Sequence, residues 1–348
     1  MKTNRLLCLS FCLLLSTLTL ISAPRPKVGL VLGGGGAKGA AEIGALKFIE
    51  KYHIPIDYIA GTSIGAIVGS LYAAGYTASE LDSLFCQHDL FPLLTDQREE
   101  YSDQFIAWDE NNDMLIRGIP ALNFRRDDWL GLLRGDSIKN QVERLLKAKG
   151  CSTFEALRRQ RGCEFRCVAS YFWTCRDTVL HTGDISSAVR ASMALPLIFK
   201  NENSMSDGGM INNLPIDVVR DMGADIVIVV DLQQEKISGS AEGNNNAVST
   251  ILDWLTPDNS ILNWIVQRPD RRNYLRNLSL YPPTEMIYIH PDLQGGHVAS
   301  FGREDIARMM TIGEQTARHH KSELLRFKWR TTSFDIPWLD AIRRFFND

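Results

Sequence analysis

The chain has 348 residues, 45% of them hydrophobic and 23% charged, with a formal net charge of −3. That length and apolar content suit a globular protein with a sizeable core, in one large domain or two. The near-neutral balance offers no basic excess for nucleic acid or anionic lipid, so nucleic acid is not an expected partner and any peripheral membrane contact would be largely apolar.

Lys2 and Arg5 precede an apolar run over residues 6–21, which Ser22, Ala23 and Pro24 follow. A charged start, an apolar stretch and small residues read as an export signal over residues 1–23, with an uncleaved amino-terminal anchor as the alternative. The expected location is therefore periplasmic, envelope-associated or secreted. Beyond that segment lie Cys86, Cys151, Cys163, Cys167 and Cys175, an odd number that spells no disulfide framework. In "CEFRCVASYF" the alternation puts Cys163, Phe165 and Cys167 on one strand face, which favours core thiols over a zinc site.

From Lys27 onward short apolar runs alternate with helical stretches, which predicts a sheet covered by helices on both faces. "KVGLVLG" predicts the first strand. Ile43, Leu46, Phe48 and Ile49 recur at helical spacing and predict a helix over residues 40–52. "IDYIAG" predicts the second strand, and residues 64–74 a helix whose Gly65, Ala66, Gly69 and Ala73 allow close packing on the sheet. Between about 90 and 134 the periodicity fades, as in an insertion. "GDSIKNQVERLLKAKG" then predicts a helix with Asp136 as its cap and Gly150 as its stop. "FRCVASYFWT" and "DTVLHTG" predict paired strands, "ISSAVRASMALP" a helix ended by its proline, and "DIVIVVDL" a buried strand. On this reading a catalytic core spans about 27–235, and residues 236–348 form a carboxy-terminal extension packed on it. The extension holds a polar loop, "SGSAEGNNNA", an aromatic-rich stretch over about 250–270 that reads as core or as a lid, and an amphipathic tail, "PWLDAIRRFF".

The chemistry begins at "LVLGGGGAKGAA", where a strand breaks into glycines before a helix. Bare backbone there presents unpaired N–H groups to an anion: a dinucleotide pyrophosphate, nucleoside triphosphate phosphates, or the oxyanion of an acyl transfer. Gly34, Gly36 and Gly39 satisfy G-x-G-x-x-G, yet the second strand carries no acid at its end to hold a ribose, and the nearest acid, Asp57, stands at its beginning. Lys38 is followed by Gly39 and not by serine or threonine, which argues against a triphosphate loop. At the second strand's end stands "GTSIG", Gly61 to Gly65. Small residues at Gly61 and Gly65 permit the sharp strand-to-helix turn of a nucleophile elbow, with Ser63 projecting from it and the next helix pointing its amino terminus at developing charge. N–H groups of Gly34, Gly35 and Gly36 would then meet the oxyanion. For the base, the usual order of serine, acid and histidine leaves a histidine triad open. The elbow follows only the second strand, however, and "MSDGGMINNLP" offers Asp207 before Gly208 and Gly209 at a turn. No metal constellation stands near the elbow, and no cofactor is expected.

With "GGGAKG" at Gly34 to Gly39, "GTSIG", "ASMALP" and "DGG" at Asp207 to Gly209 in that order, the sequence resembles the patatin-like phospholipases, specifically their bacterial branch, from about Lys27 to Asp231. The resemblance implies a three-layer α/β/α fold with a central, mostly parallel sheet, and a Ser63–Asp207 dyad without histidine. It also implies that Lys38 and Gly39 belong to the oxyanion loop and that the substrate is a phospholipid or lysophospholipid acyl ester. Two positions depart from the family pattern: Lys38 stands where many relatives have arginine, which keeps the charge but loses the planar fork, and Glu42 where many have histidine. Three other readings remain open: a lipid transacylase with the same first half-reaction, a non-catalytic lipid-binding module, and a dinucleotide-binding protein.

Overall fold

In the first strand Leu30 and Leu32 point to one side and Val31 to the other, and all three are fully buried. A strand apolar on both faces belongs inside a sheet that is covered twice. The computed structural model describes residues 25–87, 93, 106–108, 114–116, 131–171, 174, 176–233, 273–293 and 301–331. In chain order they form β1 (Val28–Leu32), α1 (Ala40–Glu50), β2 (Tyr58–Thr62), α2 (Ile64–Ala73) and α3 (Ala78–Gln87). The short strands β3 (Ile106–Trp108), β4 (Met114–Ile116) and β5 (Gly131–Leu133) follow, then α4 (Asp136–Ala148), α5 (Phe154–Arg161), β6 (Glu164–Tyr171) and β7 (Arg176–Leu180). Next come α6 (Ile185–Ser192), β8 (Leu197–Phe199), β9 (Ser206–Asp207), α7 (Ile216–Asp221) and β10 (Ile226–Val230). The last elements are β11 (Met286–Ile289), α8 (Arg303–His319) and α9 (Lys321–Thr331).

The main sheet has seven strands in the order β11-β10-β1-β2-β6-β7, with β9 also on β6. β11, β10, β1, β2 and β6 are parallel, while β7 and β9 run antiparallel to β6. Leu30, Leu32, Ile59, Phe165, Ile226 and Ile228 face one layer, packed with residues of α1, α2, α4, α8 and α9. Val31, Ala60, Val227 and Val229 face the other, against Ile216 and Val219 of α7 and Tyr281. The result is the α/β/α arrangement with a mostly parallel central sheet.

β6 and β7 pair as their alternation predicts. Cys163, Phe165 and Cys167 share one buried face, and burial pushes the Cys163 thiol up to about 12. Two helix ends differ from expectation. Asp136 is the first residue of α4 and not its cap; that position belongs to Gly135 at φ 70, where an added Cβ would fall 2.3 Å from Arg190 Nε. α6 stops at Ser192, four residues before Pro196, because the following backbone turns to serve β9: the Ala194 C=O accepts the Asp207 N–H at 2.9 Å. The sheet also continues beyond residue 235, since β11 lies parallel to β10. The predicted export signal, the 250–270 stretch, the "PWLDAIRRFF" tail, Cys175 and most of the 90–134 insertion lie outside the described residues. Among the described residues no helix is long and apolar enough to cross a membrane.

Candidate active site

β1 is flanked by β2 on one side and β10 on the other, so connections diverge at its carboxyl end, where open parallel sheets form their crevice. Both glycine-bearing turns open there. The Gly33 N–H still pairs with the Val230 C=O at 3.2 Å, after which the chain leaves the sheet and winds through a short 3-10 turn, Gly36–Gly39, into α1. Next door β2 ends at Thr62, and Ser63 takes φ 56 and ψ −121 as the cap of α2. A left-handed backbone at a residue with a side chain stores strain, and such strain collects at working sites. Gly61 and Gly65 make the turn sterically feasible: a Cβ on Gly61 would meet the Gly65 C=O at 2.3 Å, and one on Gly65 the Leu32 C=O at 2.3 Å.

The sheet explains how residues 144 apart in sequence meet. β2 occupies one edge of β6 as far as the Thr62↔Val168 pair, and β9 takes over that edge at the next residue with Ala169↔Asp207. The Ser63 hydroxyl donates to Asp207 Oδ2 at 2.7 Å, and the Gly209 N–H donates to Oδ1 at 2.7 Å. One oxygen is thus held by backbone and the other is directed at the serine. Asp207 is 5% exposed, and burial pushes its carboxyl up to about 6, against the lowering effect of these two hydrogen bonds. Gly208 is pressed on β6, where a Cβ would stand 2.2 Å from the Val168 C=O. Among the described histidines, His53, His181, His290, His319 and His320 make no hydrogen bond to either residue; His88 and His297 lie outside the described residues.

The glycine loop packs directly on this pair. A Cβ on Gly34 would lie 3.2 Å from Ser63 Cβ, and one on Gly39 2.2 Å from Ile64 Cγ1. The three glycines expected to face an oxyanion are not equivalent, however. The Gly34 N–H is committed to the Asn213 C=O at 3.3 Å, and Asn213 Nδ2 returns a bond to the Gly34 C=O at 3.1 Å. Of these three glycines, the N–H groups of Gly35 and Gly36 have no acceptor among the described residues. Lys38 is partly buried, which lowers the pKa of its ammonium group. Glu42, one turn into α1, is fully buried with no hydrogen bond to either carboxyl oxygen. Burial raises its pKa well above the ordinary range; the nearby Gly33 N–H opposes that shift and the Asp231 carboxylate adds to it.

Asp57, which precedes β2 in sequence, lies at the opposite end of the sheet. Its carboxylate accepts both Arg25 guanidinium nitrogens at 2.7 Å, Lys27 Nζ at 2.9 Å and the Val28 N–H at 3.0 Å, so it is not placed to hold a ribose beside the glycine loop. Two further residues belong to the site, Asn213 in "MSDGGMINNLP" and Ser192 in "ASMALP"; the sequence marked both segments but gave neither residue a role. Both act on backbone groups, which carry no signature in sequence.

The family model for "Patatin-like phospholipase" matches residues 30–220. Over 225 residues the chain is 29% identical to patatin-like phospholipase domain-containing protein 6 of Mus musculus, covering 63% of this chain and 14% of that protein. Over 209 residues it is 31% identical to lysophospholipase nte1 of Aspergillus fumigatus, covering 59% of this chain and 12% of that protein. The match therefore spans less than one sixth of the length of these relatives. Among solved structures, the type III effector protein ExoU is similar with a TM-score of 0.43 at 18% identity, over 88% of this chain and 54% of that one. VipD from Legionella pneumophila is similar with a TM-score of 0.42 at 16% identity, over 88% of this chain and 68% of that one.

Proposed function

This chain belongs to the patatin-like phospholipase family, and from that premise we propose that it is a serine lipid acyl hydrolase acting on a phospholipid or lysophospholipid. The observation that carries the reading is the 2.7 Å hydrogen bond from Ser63 Oγ to a buried carboxylate, made on a strained elbow beside a loop with free N–H donors. Ser63 Oγ attacks the acyl carbonyl carbon while its proton passes to Asp207 Oδ2. The carbonyl oxygen becomes an oxyanion facing the Gly35 and Gly36 N–H groups and the amino terminus of α2. Collapse expels the alcohol of the lipid, which leaves with the proton from Asp207, and an acyl ester remains on Ser63. Water then attacks that ester, gives a proton to Asp207 and releases the fatty acid, and the proton returns to Ser63 Oγ. Asp207 with a pKa near 6 is a stronger base than a solvated carboxylate and is still ionised at neutral pH.

The name lysophospholipase given to the Aspergillus relative supports a lysolipid among the substrates. The charged and apolar start of the chain supports export, with peripheral contact at a membrane surface where such lipids are found. Mass spectrometry of envelope fractions should find a chain beginning near Ala23; full-length protein in the cytoplasm would contradict export. The hydrolase reading is tested with a fluorophosphonate probe and with fatty-acid release from a panel of phosphatidylcholine and lysophosphatidylcholine vesicles. Labelling is expected on the peptide containing Ser63, absent in Ser63→Ala, together with release from at least one lipid class. Equal labelling of Ser63→Ala, or a labelled protein inert on every lipid, would sink the reading.

A further inference from the structure

The segment "ASMALP" closes α6, and the dyad chemistry leaves its serine without a role. Ser192 is fully buried. Its hydroxyl accepts the Ser63 N–H at 2.9 Å and donates to the Val168 C=O at 2.6 Å. Thr62↔Val168 is the last rung of the β2–β6 pairing, and the chain turns away from the sheet at Ser63. The Ser192 hydroxyl therefore takes the place of the missing rung, acting as acceptor towards one strand and donor towards the other. Two residues later the Ala194 C=O accepts the Asp207 N–H at 2.9 Å. Within three consecutive residues α6 and its exit thus hold the main chain of both Ser63 and Asp207.

We propose that Ser192 is a positioning residue for the nucleophile: its hydroxyl holds the Ser63 backbone in the left-handed elbow and so sets the Oγ–Oδ2 geometry from which the proton leaves. This rests on the reading of Ser63 as nucleophile. Without the hydroxyl, the part-buried Ser63 amide and the buried Val168 carbonyl both lose this partner, a costly condition for backbone groups. Rotation of the peptide between Thr62 and Ser63 relieves it, and that rotation carries Ser63 Oγ away from Asp207 Oδ2. Ser192 makes its bonds to backbone, so its loss acts on the acylation step and leaves substrate binding in place. A residue that merely filled space would instead change the amount of folded protein and nothing else.

The test compares wild-type full-length chain with Ser192→Ala, Ser192→Cys and Ser192→Thr, each checked for folding by circular dichroism. The readouts are the rate of fluorophosphonate labelling and the kcat and KM for a soluble short-chain ester. In Ser192→Ala, labelling rate and kcat should fall roughly 10²-fold, the scale of a misplaced reacting group, with KM nearly unchanged. Ser192→Thr restores the hydroxyl and should recover most of the rate, and Ser192→Cys, a weak donor and acceptor, should fall between them. A wild-type chain that does not label overturns the nucleophile reading and this proposal with it. If the wild type labels but folded Ser192→Ala or Ser192→Cys labels as fast, the positioning role alone is overturned. The same holds if KM rises while kcat stays constant, if Ser192→Thr is no better than Ser192→Ala, or if neither Ala nor Cys variant folds.

Discussion

As the proposed base, Asp207 has to be ionised to accept a proton, yet it sits where charge is poorly solvated. Its carboxyl is raised to about 6 by burial, so kcat/KM on a soluble ester should rise with pH, pass half-maximum near 6 and level off above it. A flat profile from pH 5 to 8 would contradict Asp207 as the base. The same shift bears on stability. Because the folded pKa lies above the ordinary carboxylate value, the native state binds more protons than the unfolded chain between about pH 4 and 6. Stability from this group is then greatest below pH 4, falls as pH rises through 6, and at neutral pH is lower by about 3 kcal/mol. Asp207→Asn keeps the size and removes the charge. It should raise Tm by several degrees at pH 7.5, by a margin that vanishes near pH 4, while turnover drops about 10²-fold or more. Differential scanning calorimetry at the two pH values, beside an ester assay, checks both halves. A neutral-pH Tm that stays level or falls would show that charge burial at Asp207 is compensated elsewhere.

Between elements, α1 and α8 cross in close contact. A Cβ on Gly44 would stand 1.9 Å from the Met310 C=O, and one on Gly313 1.9 Å from the Ala41 C=O. Each helix offers a glycine to the other's backbone, and the Lys51–Glu314 ion pair at 3.3 Å flanks the notch. α1 begins where the glycine loop ends, so this contact braces the loop from behind. Gly313→Ala should destabilise by roughly 1–3 kcal/mol, because neither backbone can yield as a side chain would. It should also lower kcat by displacing Ala41 and, with it, the loop. Gly302→Ala, at the start of the same helix with its nearest atom 3.9 Å away, is the control and should cost about 1 kcal/mol or less. Urea melts of both variants decide the matter; equal effects would mean that the crossing is softer than its geometry.

At the scale of the molecule, one layer of core is continuous from α1 to α9. Ile287, Ile289, Ile306, Met309 and Phe327 share a cluster with Leu30, Ile43 and Leu46. A chain cut after residue 235 would leave β10 without its parallel neighbour β11 and α1 without the helix packed on it. It should fail to give soluble, cooperatively unfolding protein, and a truncated form with native-like Tm would refute this. At the other pole, Asp57 binds Arg25 and Lys27 to the start of β2. Burial alone would raise its carboxyl, but Arg25, the Val28 N–H and Lys27 hold it below the ordinary value. Its contribution is therefore present above the unfolded carboxylate pKa near 4 and is lost as pH falls through the lower folded pKa. Asp57→Asn should cost roughly 2 kcal/mol at neutral pH and leave labelling of Ser63 in the folded protein unchanged, since it lies at the far end of the strands. Reduced labelling would couple the two ends of the sheet.

What the sequence determined by itself is local. Glycines at 61, 65 and 208 are legible because a missing Cβ shows in the sequence, and the close contacts they permit are with near neighbours or the adjoining strand. The strand β10 is legible because a run buried on both faces has no polar residue to interrupt it. The candidates Ser63 and Asp207 stand out from their turns for the same local reason. α8 shows apolar positions at Ile306, Met309, Met310, Gly313 and Ala317, yet its destination does not appear in them: the partner of that face is 260 or so residues earlier in the chain, and only packing brings it there. The tertiary structure alone decided that β9 takes over the edge of β6 where β2 leaves it, and so that Ser63 and Asp207 touch. It alone showed Gly34 bound to Asn213, Ser192 bridging an elbow and a strand, and Glu42 buried without a partner. Such bonds join side chains to backbone groups that every residue carries, so their partners leave no trace in sequence until the chain has folded.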